Sequence, residues 1–367
     1  MMSEFFGRRW CRFAVAVAAL SVLLGCQAPF PKVSEASKVD IRLVRSACFG
    51  WCPAYVVDIA GDGSVTYEGI SSVAVSGRFQ HRIAPAEVAA LLRMFERADF
   101  FALKDEYIAE ITDNPFHSVT LTIDGQTKKV IDYVGKMAGM PPTVTELEDA
   151  IDRTAGTAKF VKGTPETIAT LRQAGFDFTS EKAATFLADA LEIQNYAYAS
   201  DLILAGVPLN GRTSRQQLPA FELLFPLATS SRSDLERTLL LFSEAAAERG
   251  TRQDRSVALV IAARRDDAGL VRRLVALGVD PVVEESGVGP YTALHTAASA
   301  RVARILLRAG IDPDFTSPMI RKAVLVTDSE DVALVLAGAR VSGETKTALI
   351  ARARVKGWTR LLAKLGS

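Results

Sequence analysis

From about residue 160 to the C-terminus one short pattern keeps returning, and it constrains the fold more than any other feature of the chain. The pattern is a leucine, a pair of small or polar residues, a glycine, then an apolar residue and often Asp or Asn. It runs from Leu171 through Gly175 to Asp177, from Leu204 through Gly206 to Asn210, and from Leu274 through Gly278 to Pro281. It returns from Leu307 through Gly310 to Pro313, at Leu336 to Ala339, and from Leu361 to Gly366. Successive glycines lie about 31, 72, 32, 28 and 28 residues apart, the 72 being near two units of 36. Between them Ala, Leu and Arg recur at helical spacing. A glycine at the end of an amphipathic run closes a helix in the left-handed conformation. A unit of this size is therefore a helix pair that cannot bury its own apolar face, and at least about three must stack to make a core. The expectation for 160–367 is an all-α solenoid of five to seven helix pairs. Residues 211–255, with the polar stretch Thr229 to Asp234, form an enlarged or degenerate unit.

One unit is more specific. Tyr291-Thr292-Ala293-Leu294-His295-Thr296-Ala297 resembles the opening of an ankyrin repeat, whose period of roughly 33 the glycine intervals bracket. The resemblance is strong from about 256 to 340 and weak before it. It implies that Thr292 caps a first helix and that His295 sits in a hydrogen-bond network between repeats. The preceding unit has Val260, in Ala258 to Ala262, where the histidine would be. The 290–313 unit is about three residues short around Ser299 to Arg301. In ankyrin proteins the concave face and the turn tips bind other proteins, so the resemblance implies an unidentified protein partner, with Asp280 and Asp312 at the tips. The alternative is that the helices only support the N-terminal region.

The N-terminus carries Arg8, Arg9 and Arg12, an apolar run from Phe13 to Leu24, small Gly25, then Cys26. This is the three-part layout of a secretory signal, and the run is too short for a spanning helix of roughly 20 residues. Leu23-Leu24-Gly25-Cys26 resembles the lipobox of bacterial lipoproteins. That implies removal of 1–25, lipid on Cys26, a tether over 26–37, and location in the bacterial cell envelope. Gln27, where an Asp would signal inner-membrane retention, points to the outer membrane, facing the periplasm.

Without Cys11 and the lipidated Cys26, only Cys48 and Cys52 remain. Two cysteines in an oxidising compartment read first as a disulfide. A redox pair and a metal site are the alternatives, disfavoured by the C-x-x-x-C spacing and by the lack of a second ligand pair. Residues 38–155 read as an α+β domain with an antiparallel sheet. Strands are expected at Val39 to Val44, Tyr55 to Ile59, Ser64 to Tyr67, Val73 to Ile83, Val119 to Ile123 and Lys129 to Tyr133, with turns at Asp62-Gly63 and Asp124-Gly125. Helices are expected from Pro85 and from Pro142. Cys48-x-Gly50-x-Cys52-Pro53-x-Tyr55, with Asp62-Gly63-x-Val65-x-Tyr67-x-Gly69, resembles an uncharacterised bacterial domain family. The likeness also takes in Phe100 to Leu103, Tyr107, Asp113 and Pro115. That family carries no established activity. Trp51 and Tyr55 are candidates for a binding lip at the cysteine loop, with a pinned structural turn as the competing reading.

Net charge of +1 on 367 residues gives no basic surface for nucleic acid. The three histidines, His81, His117 and His295, are far apart, so no histidine-rich metal site and no cofactor is expected. His117 near Asp113 invites a general-base role, but no nucleophile accompanies it, and no G-x-S-x-G, P-loop or H-E-x-x-H occurs. No catalytic residue is assigned. The expectation is a non-enzymatic, lipid-anchored binding protein. The alternatives are an enzymatic or redox module at the Cys48–Cys52 loop, or an immunity-type inhibitor of a secreted effector.

Overall fold

The structure, a computed structural model, describes residues 30–224, 233–285, 289–316 and 321–366. The signal region with Cys26, the first part of the tether and the polar stretch 229–232 lie outside the described residues.

Alternation of apolar and polar residues builds the first strand, β1 (Val39–Arg45), whose Val39, Ile41 and Leu43 are buried. β2 (Ala54–Ala60) and β3 (Ser64–Ser71) form a hairpin around Asp62-Gly63. Gly63 sits at φ +85°, and a Cβ there would lie 2.3 Å from the Ile83 carbonyl, so the turn requires glycine. β4 is Gly77–Arg82. The expected strand from Val73 starts late because Val73 to Val75 are engaged otherwise: the Ala74 and Val75 N–H groups donate to the carbonyls of Val161 and Phe160. β5 (Glu106–Ile108) was not expected from sequence, while β6 (His117–Ile123) and β7 (Gln126–Tyr133) close around Asp124-Gly125. The seven strands run in the order β4-β3-β2-β1-β6-β7-β5. β5 joins β7 in parallel, an exception to the antiparallel expectation. α1 (Pro85–Arg97) and α2 (Pro142–Ala155) begin at prolines, as expected; Val88, Leu91, Phe95, Val144, Leu147 and Ile151 are buried.

The described chain divides into two compact units. One holds the chain up to Val44, Val57–Val65 and Arg82–Ala155; the other holds Arg45–Val56, Thr66–His81 and everything from Gly156. The cysteine loop and much of β3 and β4 thus group with the helices. In that second unit Phe160, 1% exposed, stacks on Tyr67 with ring centroids 4.8 Å apart.

The helical region runs α3 (Glu166–Gln173), α4 (Glu181–Glu192), α5 (Tyr196–Leu204), α6 (Ala220–Leu224), α7 (Ser233–Arg249), α8 (Arg252–Arg264) and α9 (Ala268–Ala276). It continues with a hairpin of β8 (Val282–Glu285) and β9 (Gly289–Thr292), a 3₁₀ turn at Ala293–Thr296, α10 (Ala300–Arg308), α11 (Ala323–Val326), α12 (Glu330–Leu336), α13 (Gly343–Lys356) and α14 (Thr359–Leu365). Packed pairs recur from α4 onward, namely α4–α5, α8–α9, the 3₁₀ turn with α10, α11–α12 and α13–α14, five among the described residues, as an ankyrin-like solenoid requires. Second helices start on side-chain caps: Asn195, Asp267, Ser299 and Ser329 each accept a backbone N–H of their first turn. Gly175, Gly206, Gly278 and Gly310 have positive φ, and Gly338 does not. The 28-residue spacing from Gly310 to Gly338 has a physical cause: the first helix of that unit, α11, has only four residues. Among the described residues no helix is long and apolar enough to cross a membrane.

Candidate functional site

Three groups of residues carry the features that chemistry or recognition needs. The first is the repeat junction around His295. Its Nδ1 lies 3.1 Å from the Thr292 N–H, and its Nε2 lies 3.1 Å from the Arg321 carbonyl, so one ring nitrogen accepts and the other donates. The imidazole thus ties two successive repeats. Burial pushes its pKa below 6.5, against the opposing pull of the hydrogen bonds to Thr292 and Arg321. Asp280 and Asp312 are exposed at turn tips, yet each is also part of its turn. Asp280 Oδ1 accepts the Val282 N–H at 3.0 Å, and Asp312 Oδ1 accepts the Asp314 N–H at 2.8 Å.

Asp314, which sequence reasoning passed over, does more. Its carboxylate accepts the Ser342 N–H and the Thr345 hydroxyl, both at 2.6 Å, and faces Lys322 at 3.6 Å. The basic residues near the C-terminus are largely paired across repeats. Arg352 and Lys356 meet Asp328, Arg360 meets Glu330 and Asp331, and Lys364 donates to the Leu334 carbonyl. These last side chains edge an open cleft of about 850 Å³, whose other basic walls are Arg304 and Arg308 and whose floor includes Leu307 and Leu334.

The second group is the cysteine loop. Cys48 and Cys52 form a disulfide. Phe49 is 91% exposed and Trp51 50% exposed. Arg215 reaches the loop from the helical region: its Nη1 donates to the Gly50 carbonyl at 2.8 Å, and its guanidinium lies 4.8 Å from the Trp51 ring centroid. Tyr55 does not line a lip. It is 4% exposed because it opens β2 on the buried side and packs 5.8 Å from Tyr67. Behind Trp51, Asp189 and Glu192 sit beside Arg215. Burial raises the Asp189 pKa against the Ser214 hydrogen bonds; burial, then the Asp189 charge, raises that of Glu192 against Arg215. The cavity between them is about 10 Å³, room for nothing beyond a water-sized molecule.

The third group was not expected at all. His117 opens β6, Asp132 lies opposite it on β7, and Glu148 projects from α2. His117 Nδ1 is 3.0 Å from Glu148 Oε2, and one ligand atom from each residue lies within 4.8 Å of the others. This is the one histidine–carboxylate grouping of metal-ligand type among the described residues. Asp113, the partner that the sequence offered His117, stands in a left-handed turn next to the Thr112 hydroxyl.

No curated protein matches the chain. Family models match two segments. Residues 39–155 match a domain of unknown function (DUF6438), and residues 291–318 match the ankyrin repeat. The chain thus carries a DUF6438 domain followed by an ankyrin repeat, within a helical region of ankyrin-like construction.

Proposed function

We propose that this chain is a non-enzymatic, lipid-anchored protein of the bacterial envelope whose ankyrin array docks a protein partner. The observation that carries the reading is the ankyrin repeat at 291–318, stacked between helix pairs on both sides. Such arrays present extended concave faces and turn tips for recognition. The exposed tip carboxylates Asp280 and Asp312 suit that role. The lipobox-like end at Cys26 supplies the anchor, and Gln27 directs it to the outer membrane. A single acyl chain binds only marginally, so stable anchoring takes the several chains that bacterial lipoproteins carry.

The test is crosslinking in cells followed by mass spectrometry, with the double variant Asp280→Asn, Asp312→Asn as the comparison. Asparagine keeps the turn-forming oxygen and removes the charge. A protein captured by the wild type and lost from the variant supports the reading. Equal capture, or no specific capture from either, removes the ankyrin dock. Cys26→Ser, followed by membrane fractionation, tests the anchor separately: release into the soluble periplasm is expected.

A second reading, a redox module at Cys48–Cys52, draws on the Arg215 cation at the loop, since cations favour the thiolate. A reduction potential clearly above roughly −300 mV would favour it; one below marks a structural disulfide.

A further inference from the structure

We propose that His117, Asp132 and Glu148 form a binding site for one first-row divalent cation of the zinc class. Three separate elements converge here. The β6–β7 register sets His117 directly opposite Asp132, and α2 brings Glu148 to within hydrogen-bond reach of the imidazole. The three potential ligand atoms lie within 4.8 Å of one another, and bonds of about 2.0–2.2 Å in a tetrahedral site set ligand atoms about 3.3–3.6 Å apart, so a small side-chain adjustment brings all three onto one ion. One imidazole nitrogen with two carboxylate oxygens is a donor set that such cations accept.

Two further observations give the cluster the character of a prepared site. Glu148 is 2% exposed and meets the His117 imidazole there, so its carboxylate is held in one position inside the domain. Asp132 is held in place from behind: its Oδ1 accepts the Gly135 N–H at 2.6 Å. A Cβ on Gly135 would lie 2.9 Å from that oxygen, 2.9 Å from Met140 Sδ and 2.9 Å from Tyr107 Cβ, so the cradle fits glycine alone. A hydrogen bond that fixes a ligating carboxylate from outside is the usual support of a metal ligand. His117, 26% exposed, leaves the site reachable from solvent. Three protein ligands leave a coordination position for water, the open arrangement that distinguishes reactive zinc sites from closed structural ones.

The competing account is a buried histidine–glutamate ion pair with no ion. Zn²⁺ titrated calorimetrically into the chelator-treated full chain separates the two. The expected result is one saturable equivalent and a rise in the thermal midpoint on adding Zn²⁺. His117→Ala and the nearly isosteric Glu148→Gln should each weaken binding roughly tenfold or more, while His81→Ala leaves it unchanged. Should His117→Ala fail to fold, Glu148→Gln and Asp132→Asn carry the comparison. No saturable heat from the wild type, or binding undiminished in folded Glu148→Gln and Asp132→Asn, overturns the proposal.

Discussion

Replacing Asp314 tests whether the last repeats are held by one carboxylate. Asp314 accepts the Ser342 N–H and the Thr345 hydroxyl and faces Lys322, so it links the turn after α10 to the start of α13. Thr345 is 1% exposed, and the Asp314 side chain is 21% exposed. Hydrogen bonds to a charged group contribute about 1.5–3 kcal/mol each. Two such bonds, taken at the low end because the carboxylate is partly solvated, give about 3 kcal/mol for Asp314→Ala. Asp314→Asn keeps an acceptor and loses the charge, and should cost roughly half as much. In a repeat array each unit touches only its neighbours, so the loss should appear locally. The assay is hydrogen exchange read by mass spectrometry. At 1.4 kcal/mol per decade, a loss of about 3 kcal/mol lowers protection over 343–365 by about a hundredfold, while α8 stays near wild type. A fall below tenfold over 343–365, or an equal fall over 252–264, refutes the reasoning. The pH dependence has a definite sign. Burial pulls the Asp314 pKa up, but the bonds from Thr345 and Ser342 and the Lys322 charge outweigh it and leave the pKa below 3.8. The contribution is therefore full above pH 3.8 and lost as pH falls through the lower, folded value.

Two other outcomes are expected. His295, neutral and depressed by burial, should make the array lose stability as pH falls below about 6.5, since the unfolded chain then takes up the proton first; urea unfolding at pH 7.5 and 5.5 should show this loss, and His295→Asn should flatten it. Arg215→Ala removes the cation over half-exposed Trp51 and the donor to Gly50, a loss of roughly 1–2 kcal/mol from the two contacts; faster proteolysis at 48–52 with the disulfide intact is expected, and unchanged cleavage would count against a role in fixing the loop.

What was legible in the sequence was local. Val39, Ile41 and Leu43 alternate because one face of β1 is buried, and the Asp-Gly pairs mark hairpins because only their backbones tolerate such turns. The Thr292–His295 spacing marks a repeat because three residues bring a capping hydroxyl to an imidazole. β5 escaped notice because three residues show no period, and its pairing with β7 is parallel and distant in sequence. Val73 to Val75 misled for the opposite reason: three apolar residues suit a strand, yet the Ala74 and Val75 N–H groups are used by the carbonyls of Val161 and Phe160. Tyr55 looked like a lip residue only because it follows the cysteines; its place in the β2 alternation sends it inward. The cluster of His117, Asp132 and Glu148 spans 31 residues across two strands and a helix, so no short spacing announces it.

The disulfide shows why the local view stopped short of function. Closing a loop of separation 4 restrains the unfolded chain by only about 2 kcal/mol, so the bridge adds little to global stability. Its effect is on geometry. It holds the Gly50 carbonyl and the Trp51 ring in one arrangement, and Arg215, 165 residues further along, uses both at once. A reduced loop keeps the same atoms but regains about 2 kcal/mol of chain freedom, as much as the approximately 1–2 kcal/mol that the two contacts return. The cysteines therefore favour the Arg215 contact by holding its partners in place, and breaking the bridge should weaken the contact even where the fold survives.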